Sequence, residues 1–530
     1  MVCRIGCKML LSLLLLFGWQ VEAQDYTIIR HEVMVAMDDG VRLNTTVFEP
    51  IDQPPENGWP TIVFIHGLGG SKSVRPADDF SKGGYITMAY TVRGQGQRTG
   101  GAPSGGMSTL LGDREAQDLK DMIAWLKENH TVDPDRIGIA GGSHGAIHTW
   151  MAVAHRLGIA AAVPQSFTAD LTDAVIMNGS IHSSLARALR RDFIDATLAA
   201  EGRSLILAYD SEGIREKFAR PRDLRSGLAD ITTPVMIQFA WEDGGGTANG
   251  VIADFNLLKG ARKLYLGTGE YGSARVRAEA SFRSRWTQRW LNRWLQGDEN
   301  GIEDGPPVEI ALLDTWEHLQ FSAFPPPESR DRAWFLQSSA DTIDILASDP
   351  PATDAVQMLT HACDTTFTMQ ALYDANVPLR GADGVLTRFT LDALRYETPP
   401  LESDLLVVGI PKFSLFVGAT ATHYQINLRL WDVDPQTGTR RLFSRATYLV
   451  RKASHPDGEA ISADMGAIGY RVPAGHRIRL EISNLDLDWN TAKQEWRRLW
   501  GIPYFEQAKI RIHSGGERPS QVVLPVLAAE

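Results

Sequence analysis

An α/β fold, a parallel sheet covered by helices on both faces, followed by an all-β domain of sandwich type, is what this sequence predicts. Three observations predict it. Short apolar, β-branched runs alternate with amphipathic helical patterns through the first part of the chain, the signature of a parallel sheet with crossover helices. Gly141-Gly142-Ser143-His144-Gly145 lies between one such run and one such helix. Beyond Gln296-Gly297-Asp298-Glu299-Asn300-Gly301 the helical periodicity fades and short alternating strands with Pro, Gly and Asp turns continue to the C-terminus.

The elements follow in order. Residues 27–48 alternate apolar and polar about Asp38-Asp39-Gly40, which predicts an antiparallel hairpin. Thr61–Ile65 is a continuous apolar run suited to a buried parallel strand, and Tyr85–Tyr90 is the next strand. Ala116, Leu119, Met122, Ile123 and Leu126 place an amphipathic helix over 113–128. The strand Ile137–Ala140 is bounded upstream by a turn at Asp133-Pro134-Asp135, and Ala146, Ile147, Trp150, Met151 and Ala154 share one face of the helix that follows. From Thr168 to Asp230 the pattern is mostly helical and irregular, as expected of a cap over the carboxyl edge of the sheet. Val235–Phe239 and Lys263–Leu266 are two further buried strands. Phe282, Trp286, Trp290 and Trp294 recur every four residues, a stripe for packing on the sheet rather than a cofactor box. Later, Ile426–Trp431 and Arg477–Ile482 alternate cleanly, each with one buried face. The division expected is a leader over 1–23, an α/β domain over 24–302 with its cap at about 168–230, and a β-sandwich over 303–530.

The chemistry concentrates at the turn around Ser143. A strand, a sharp turn and a helix form the setting in which G-x-S-x-G presents a serine as a nucleophile, and glycines flank it because the strained turn leaves no room for side chains. The run Thr61–Ile65 ends in His66-Gly67-Leu68-Gly69-Gly70. Such a loop supplies one backbone N–H of an oxyanion hole and the residue after the nucleophile supplies the other, which here are Leu68 and His144. His66 reads as a structural loop residue. Asp243 follows the strand at 235–239, where an acid that orients a base belongs. Gly244-Gly245-Gly246 is not a phosphate cradle, because no helix N-terminus with Lys-Ser/Thr follows. Asp486 and Asp488 read as exposed carboxylates on a strand edge rather than as a cation site. No cofactor and no metal are therefore expected.

The 530 residues exceed one core, and 43% hydrophobic with 22% charged residues is an ordinary globular composition. A net charge of −11 argues against nucleic acid or an anionic membrane surface as partner. Arg4 and Lys8 precede the apolar run Met9–Phe17, and Val21-Glu22-Ala23 suits a signal peptidase, so a cleavable leader and a secreted or periplasmic protein are expected. The run is too short to span a membrane comfortably. Cleavage after Ala23 would leave Cys363 alone, a buried free thiol.

Several segments together resemble the X-Pro dipeptidyl-peptidase and cocaine-esterase family of α/β-hydrolases. Val92-Arg93-Gly94-Gln95-Gly96 is similar to the family's D-x-R-G-x-G loop, and the elbow Gly141–Ala146 to its G-x-S-Y-G-G. Asp170-Leu171-Thr172-Asp173-Ala174 and Asn178-Gly179 resemble the entry to the family's cap. Pro399-Pro400-Leu401, Leu430–Pro435 and Pro473–Arg477 resemble its terminal jelly roll, of the galactose-binding kind. The resemblance implies an α/β-hydrolase domain, Ser143 as nucleophile and, from Thr233-Pro234-Val235 and Trp241-Glu242-Asp243, Asp243 as acid. The family's histidine falls in a step similar to Lys263–Gly272, where this chain has Tyr271, and no histidine stands between His182 and His318. Three explanations follow. The chain is a non-hydrolytic relative, or another histidine (His144, His148, His182 or His318, with His182 the best placed) reaches the serine, or Tyr271 acts as base. The expected activity is cleavage of an ester, amide or peptide bond in a small molecule or short peptide. The alternative is a silent binding protein on the same fold. Homo-oligomerisation is left open.

Overall fold

The computed structural model describes residues 25–97, 102–270, 277–339, 343–374, 388–451 and 458–528. The expected leader at 1–23 and Tyr271 lie outside the described residues. Hairpin β1 (Ile28–Ala36) and β2 (Arg42–Pro50) pairs antiparallel about the predicted Asp-Asp-Gly turn and docks on β4 (Ile86–Tyr90). From β4 the sheet is parallel through β3 (Trp59–Ile65), β5 (Val132–Gly142), β6 (Ala161–Gln165), β9 (Val235–Glu242) and β10 (Arg262–Glu270). Every residue of β3 and β4 is buried, because crossover helices cover both faces.

Helices α1 (Val74–Ser81), α2 (Asp113–Asn129) and α3 (His144–Ala154) connect the first strands. Two local expectations differ in detail. The Asp133-Pro134-Asp135 turn is taken into β5 as an irregularity in its pairing with β3, where Trp59 meets Val132 and Thr61 already meets Ile137. That register shift absorbs a proline that cannot donate to a ladder. Helix α3 is buried on nearly every side, from His144 to Val153, not along one stripe. The sheet lies on one side of it, and α2 and the cap lie on the others.

The cap runs between β6 and β9. It comprises α4 (Leu171–Val175), the two-residue strands β7 (Ile176–Met177) and β8 (Ser180–Ile181), α5 (Ser183–Leu189), α6 (Ala196–Leu207), α7 (Ser211–Gly213) and a run of short turns to Gly227. Arg225 ties it down. Its guanidinium meets Asp254 at 2.8 Å, Asp173 at 2.6 Å and Asp170 at 3.3 Å, so the aspartates of the 170–174 segment anchor the cap to α8 (Asn249–Leu257). The aromatic stripe lies on α9 (Arg277–Leu291) and its continuation, where Trp286 and Trp290 are buried against Tyr265 of the sheet side.

The first sheet does not stop at residue 302. Strands β11 (Val308–Ala311) and β12 (His318–Phe321) extend it beyond β10 to ten strands, so the change from one sheet to the other falls after Phe321. From Arg330 onward a 13-stranded antiparallel-rich assembly forms the β-sandwich, with His423–Val433 pairing both Arg440–Arg451 and Arg477–Ser483. Asp486 overturns its reading as an exposed edge residue. It is buried, with Arg445 at 2.5 Å and Arg429 at 4.0 Å, and Asp488 lies 3.5 Å from the same Arg445. Two arginines inside the sandwich require these carboxylates as counter-charges. Cys363 is half-buried, and its Sγ lies 3.6 Å from the Phe505 carbonyl. Among the described residues no helix is long and apolar enough to cross a membrane.

Candidate active site

Ser143 stands at the join of β5 and α3 with φ 58° and ψ −120°, a conformation costly for any residue with a β-carbon. Its surroundings hold it there. The Ser143 N–H donates to Gln165 of β6, and the first turn of α3 closes back on the Ser143 carbonyl. A β-carbon at Gly141 would lie 2.4 Å from the Gly145 oxygen, and one at Gly145 would lie 2.2 Å from the Ile65 oxygen. Gly142 has open space at the same position. The outer glycines of the motif are therefore fixed by contact, and the inner one is not.

The loop after β3 meets this elbow. The built β-carbon position of Gly67 lies 3.6 Å from Ser143 Cβ and 3.9 Å from its Oγ. Leu68 and His144 line the same cavity as Ser143. Being the first residue of α3, His144 has no acceptor within its helix for its N–H. His66 does not face the chemistry. Its Nδ1–H donates to Gly67 O at 2.7 Å and its Nε2 accepts the Val92 N–H at 2.9 Å, stitching the loop after β3 to the loop after β4. Burial pushes its pKa down to about 4.

A residue that sequence reasoning passed over completes this loop. Gln95 is fully buried, and its Oε1 accepts the Gly69 N–H at 2.6 Å. Its neighbour Arg93 is clamped by Asp118 at 2.5 Å and Asp39 at 2.8 Å. The signal was present in the Arg93-Gly94-Gln95-Gly96 segment, but what the glutamine holds is decided three-dimensionally.

Asp243 follows the last residue of β9 and is buried, with Oδ1 accepting the Gly245 N–H at 2.8 Å. It lines the cavity that Ser143 lines, as do Gly244, Gly245 and Gly246. The expected carboxylate and serine are thus brought to one place. The histidines are not. His148 sits one turn along α3, donating from Nδ1 to the His144 carbonyl at 2.9 Å, and burial lowers its pKa. His182 caps α5, its Nδ1 accepting the Ser184 N–H, and packs its ring on Trp500 at 4.8 Å. His318 bonds Glu309 at 2.6 Å on β12. Among the described residues His144 is the one histidine that lines the cavity. Its ring is fully buried 4.6 Å from that of His148, and burial depresses its pKa far below the usual histidine range.

The cavity has a volume of about 400 Å³ and is closed by three parts of the chain. The α/β domain gives Ser143, Asp243 and Trp241, and the cap gives Leu171, Leu185 and Phe218. The sandwich gives Phe443, Arg445, Trp489 and Trp500. These last side chains carry no local signal, because the domain that bears them is distant in sequence. Domain junctions are where ligand sites concentrate. No group of three or more His, Cys, Asp or Glu side chains with metal-binding geometry occurs among the described residues.

Comparison with known proteins places the chain in a family. The model of the X-Pro dipeptidyl-peptidase (S15 family) matches residues 39–272, and that of the X-Pro dipeptidyl-peptidase C-terminal non-catalytic domain matches 300–523. A cocaine esterase of Rhodococcus sp. is 23% identical over 581 residues, covering 93% of this chain and 98% of that protein. A quorum-quenching protein AidA of Acinetobacter baumannii is 30% identical over 162 residues, 29% of this chain. The chain spans about half the length of the first curated relatives it matches, 51% and 42%. Among solved structures, an α-amino acid ester hydrolase aligns with TM-score 0.68 and 18% identity over 95% of this chain and 97% of the other. A CocE/NonD family hydrolase from Staphylococcus aureus aligns with TM-score 0.68 and 15% identity over 94% of each. Two adjoining models that together reach from residue 39 to 523, on a fold shared with these hydrolases, show that the chain belongs to the X-Pro dipeptidyl-peptidase (S15) family of α/β-hydrolases.

Proposed function

We propose that this protein is an exported serine hydrolase that opens an ester or amide bond through an acyl-enzyme on Ser143. The observation that carries the reading is the strained Ser143 at the mouth of β5, facing a cavity that Asp243 also lines. Strain of this kind is kept where the surrounding structure over-determines it, and it exposes the serine hydroxyl. In the reaction, Ser143 Oγ adds to the substrate carbonyl carbon and gives up its proton to a base. The carbonyl oxygen becomes an oxyanion held by the N–H groups of Leu68 and His144. Collapse expels the alcohol or amine, which takes the proton. Water then adds to the acyl-enzyme and releases the acid, restoring the serine. Asp243 orients the base, and the place of the base falls on Tyr271. Export rests on the leader Met1–Ala23, which directs the chain to the periplasm or out of the cell.

The second reading is a hydrolase fold that binds without turnover. It is favoured by Tyr271 and by the absence of any histidine but the buried His144 from the described cavity wall. A fluorophosphonate probe distinguishes the two. Labelling located on Ser143, and lost in Ser143→Ala, supports the acyl-enzyme. An intact protein that takes up no probe while binding an ester in its cavity supports the silent form.

A further inference from the structure

Arg191 stands in the turn after α5 and lines the cavity. Its Nε is buried and has no hydrogen-bond partner, and no carboxylate pairs with its guanidinium among the described residues. The other arginines of the cap are treated differently. Arg225 holds three aspartates, and Arg222 donates to the carbonyls of Leu110, Thr109 and Phe218. A buried N–H left without an acceptor is costly, and a guanidinium with no carboxylate beside it favours an anion there.

The carboxylates at the cavity wall are already engaged. Glu242 meets Arg441 at 2.9 Å, Asp488 meets Arg445 at 3.5 Å, and Asp243 accepts the Gly245 N–H. Arg187, one turn before Arg191, also lines the cavity but is engaged in an interaction of its own. Much of the remaining lining is leucine, phenylalanine and tryptophan. The turn bearing Arg191 is also fixed near the reacting end. Two residues on, the Phe193 ring lies 3.5 Å from the built β-carbon position of Gly69 in the loop after β3.

We propose that the substrate of this cavity carries a carboxylate on an apolar stem and that Arg191 receives it. This rests on the reading of the cavity as a hydrolase site. A planar guanidinium matches a carboxylate bidentately, and the apolar walls accept the stem. The preference comes from binding and positioning. The carboxylate belongs either to the acyl part or to the leaving alcohol, and the arms of the experiment separate these sources.

Two ester pairs test it. Mono-p-nitrophenyl adipate is compared with its methyl ester, and 4-carboxyphenyl hexanoate with its methyl ester. The parent is expected to favour the acid in one pair by at least about tenfold in kcat/KM, the scale of one charge-assisted hydrogen bond. Arg191→Gln should collapse that ratio, and Arg191→Lys should retain part of it. Because the ratio is internal to each variant, a general loss of folding does not mimic the result. A ratio near one in both pairs, or one unmoved by Arg191→Gln, overturns the proposal. If neither ester is turned over, the fluorescence of cavity tryptophans Trp241, Trp489 and Trp500 is titrated with monomethyl and dimethyl adipate. Tighter binding of the monoacid that disappears in Arg191→Gln supports the carboxylate site independently of turnover, and the hydrolase reading is then decided by probe labelling of Ser143. Equal binding of the two overturns the proposal.

Discussion

Gly145 lies against Ile65 so closely that a β-carbon at 145 would stand 2.2 Å from the Ile65 carbonyl oxygen. The first turn of α3 is thereby pressed onto the end of β3, which places the serine elbow and the loop after β3 in one frame. The obstacle is backbone, which cannot swing aside as a flexible side chain would.

Gly145→Ala should therefore cost about 3 kcal/mol of stability, the upper range for overpacking, and should displace the elbow. Gly142→Ala, with open space at the same position, should cost far less. Urea unfolding of both variants, with probe labelling of Ser143, checks this. Equal stability losses would remove the argument.

Gln95 should act as a positioning residue through its hydrogen bond to the Gly69 N–H. Gln95→Leu is expected to lower kcat by about tenfold to a hundredfold with a smaller change in KM, because a displaced oxyanion loop weakens the transition state more than the ground state. Gln95→Glu retains an acceptor and should recover part of kcat. Parallel changes of kcat and KM in both variants would indicate a purely structural role.

Tyr271→His is expected to raise ester hydrolysis by at least about a hundredfold, the lower end for a positioned general base. The reason is that members of a triad act as a unit, and a phenol with its ordinary pKa near 10 is a weak proton acceptor at neutral pH. Burst hydrolysis of a p-nitrophenyl ester by parent and variant decides it. High activity in the parent that His182→Ala abolishes and Tyr271→Phe spares would place the base at His182.

His66 sets an acid limb on stability. Burial lowers its pKa in the fold to about 4, against about 6.5 for an exposed histidine. The unfolded chain takes up the proton first, so the contribution is fully present above about pH 6.5 and is lost as the pH falls towards 4. A depression of this size corresponds to about 3 kcal/mol. The stability gap between parent and His66→Gln should narrow by that amount between pH 7 and pH 4 in urea titrations. A gap that stays constant with pH would show that His66 is not the group responsible.

The features legible in the residues alone are local. The order of strands and helices, the hairpin at Asp38-Asp39-Gly40, the aromatic stripe on α9 and the elbow at Ser143 all follow from periodicity, turn chemistry and glycines within a few residues of each other. Tertiary structure decided whatever depends on distant partners. Asp486 looked like a solvated edge carboxylate until two arginines from other strands were brought upon it. Helix α3 looked one-sided until the cap covered its outer face. Strands β11 and β12 joined the first sheet because β10 offered an open edge, which no local pattern announces. The cavity belongs wholly to this second class. Leu171, Arg191, Trp489 and Trp500 come from segments far apart in sequence, and they line one cavity because the cap and the sandwich close over the carboxyl ends of the parallel strands. Backbone preferences are read within a few residues, whereas burial and charge pairing are fixed only when remote surfaces meet.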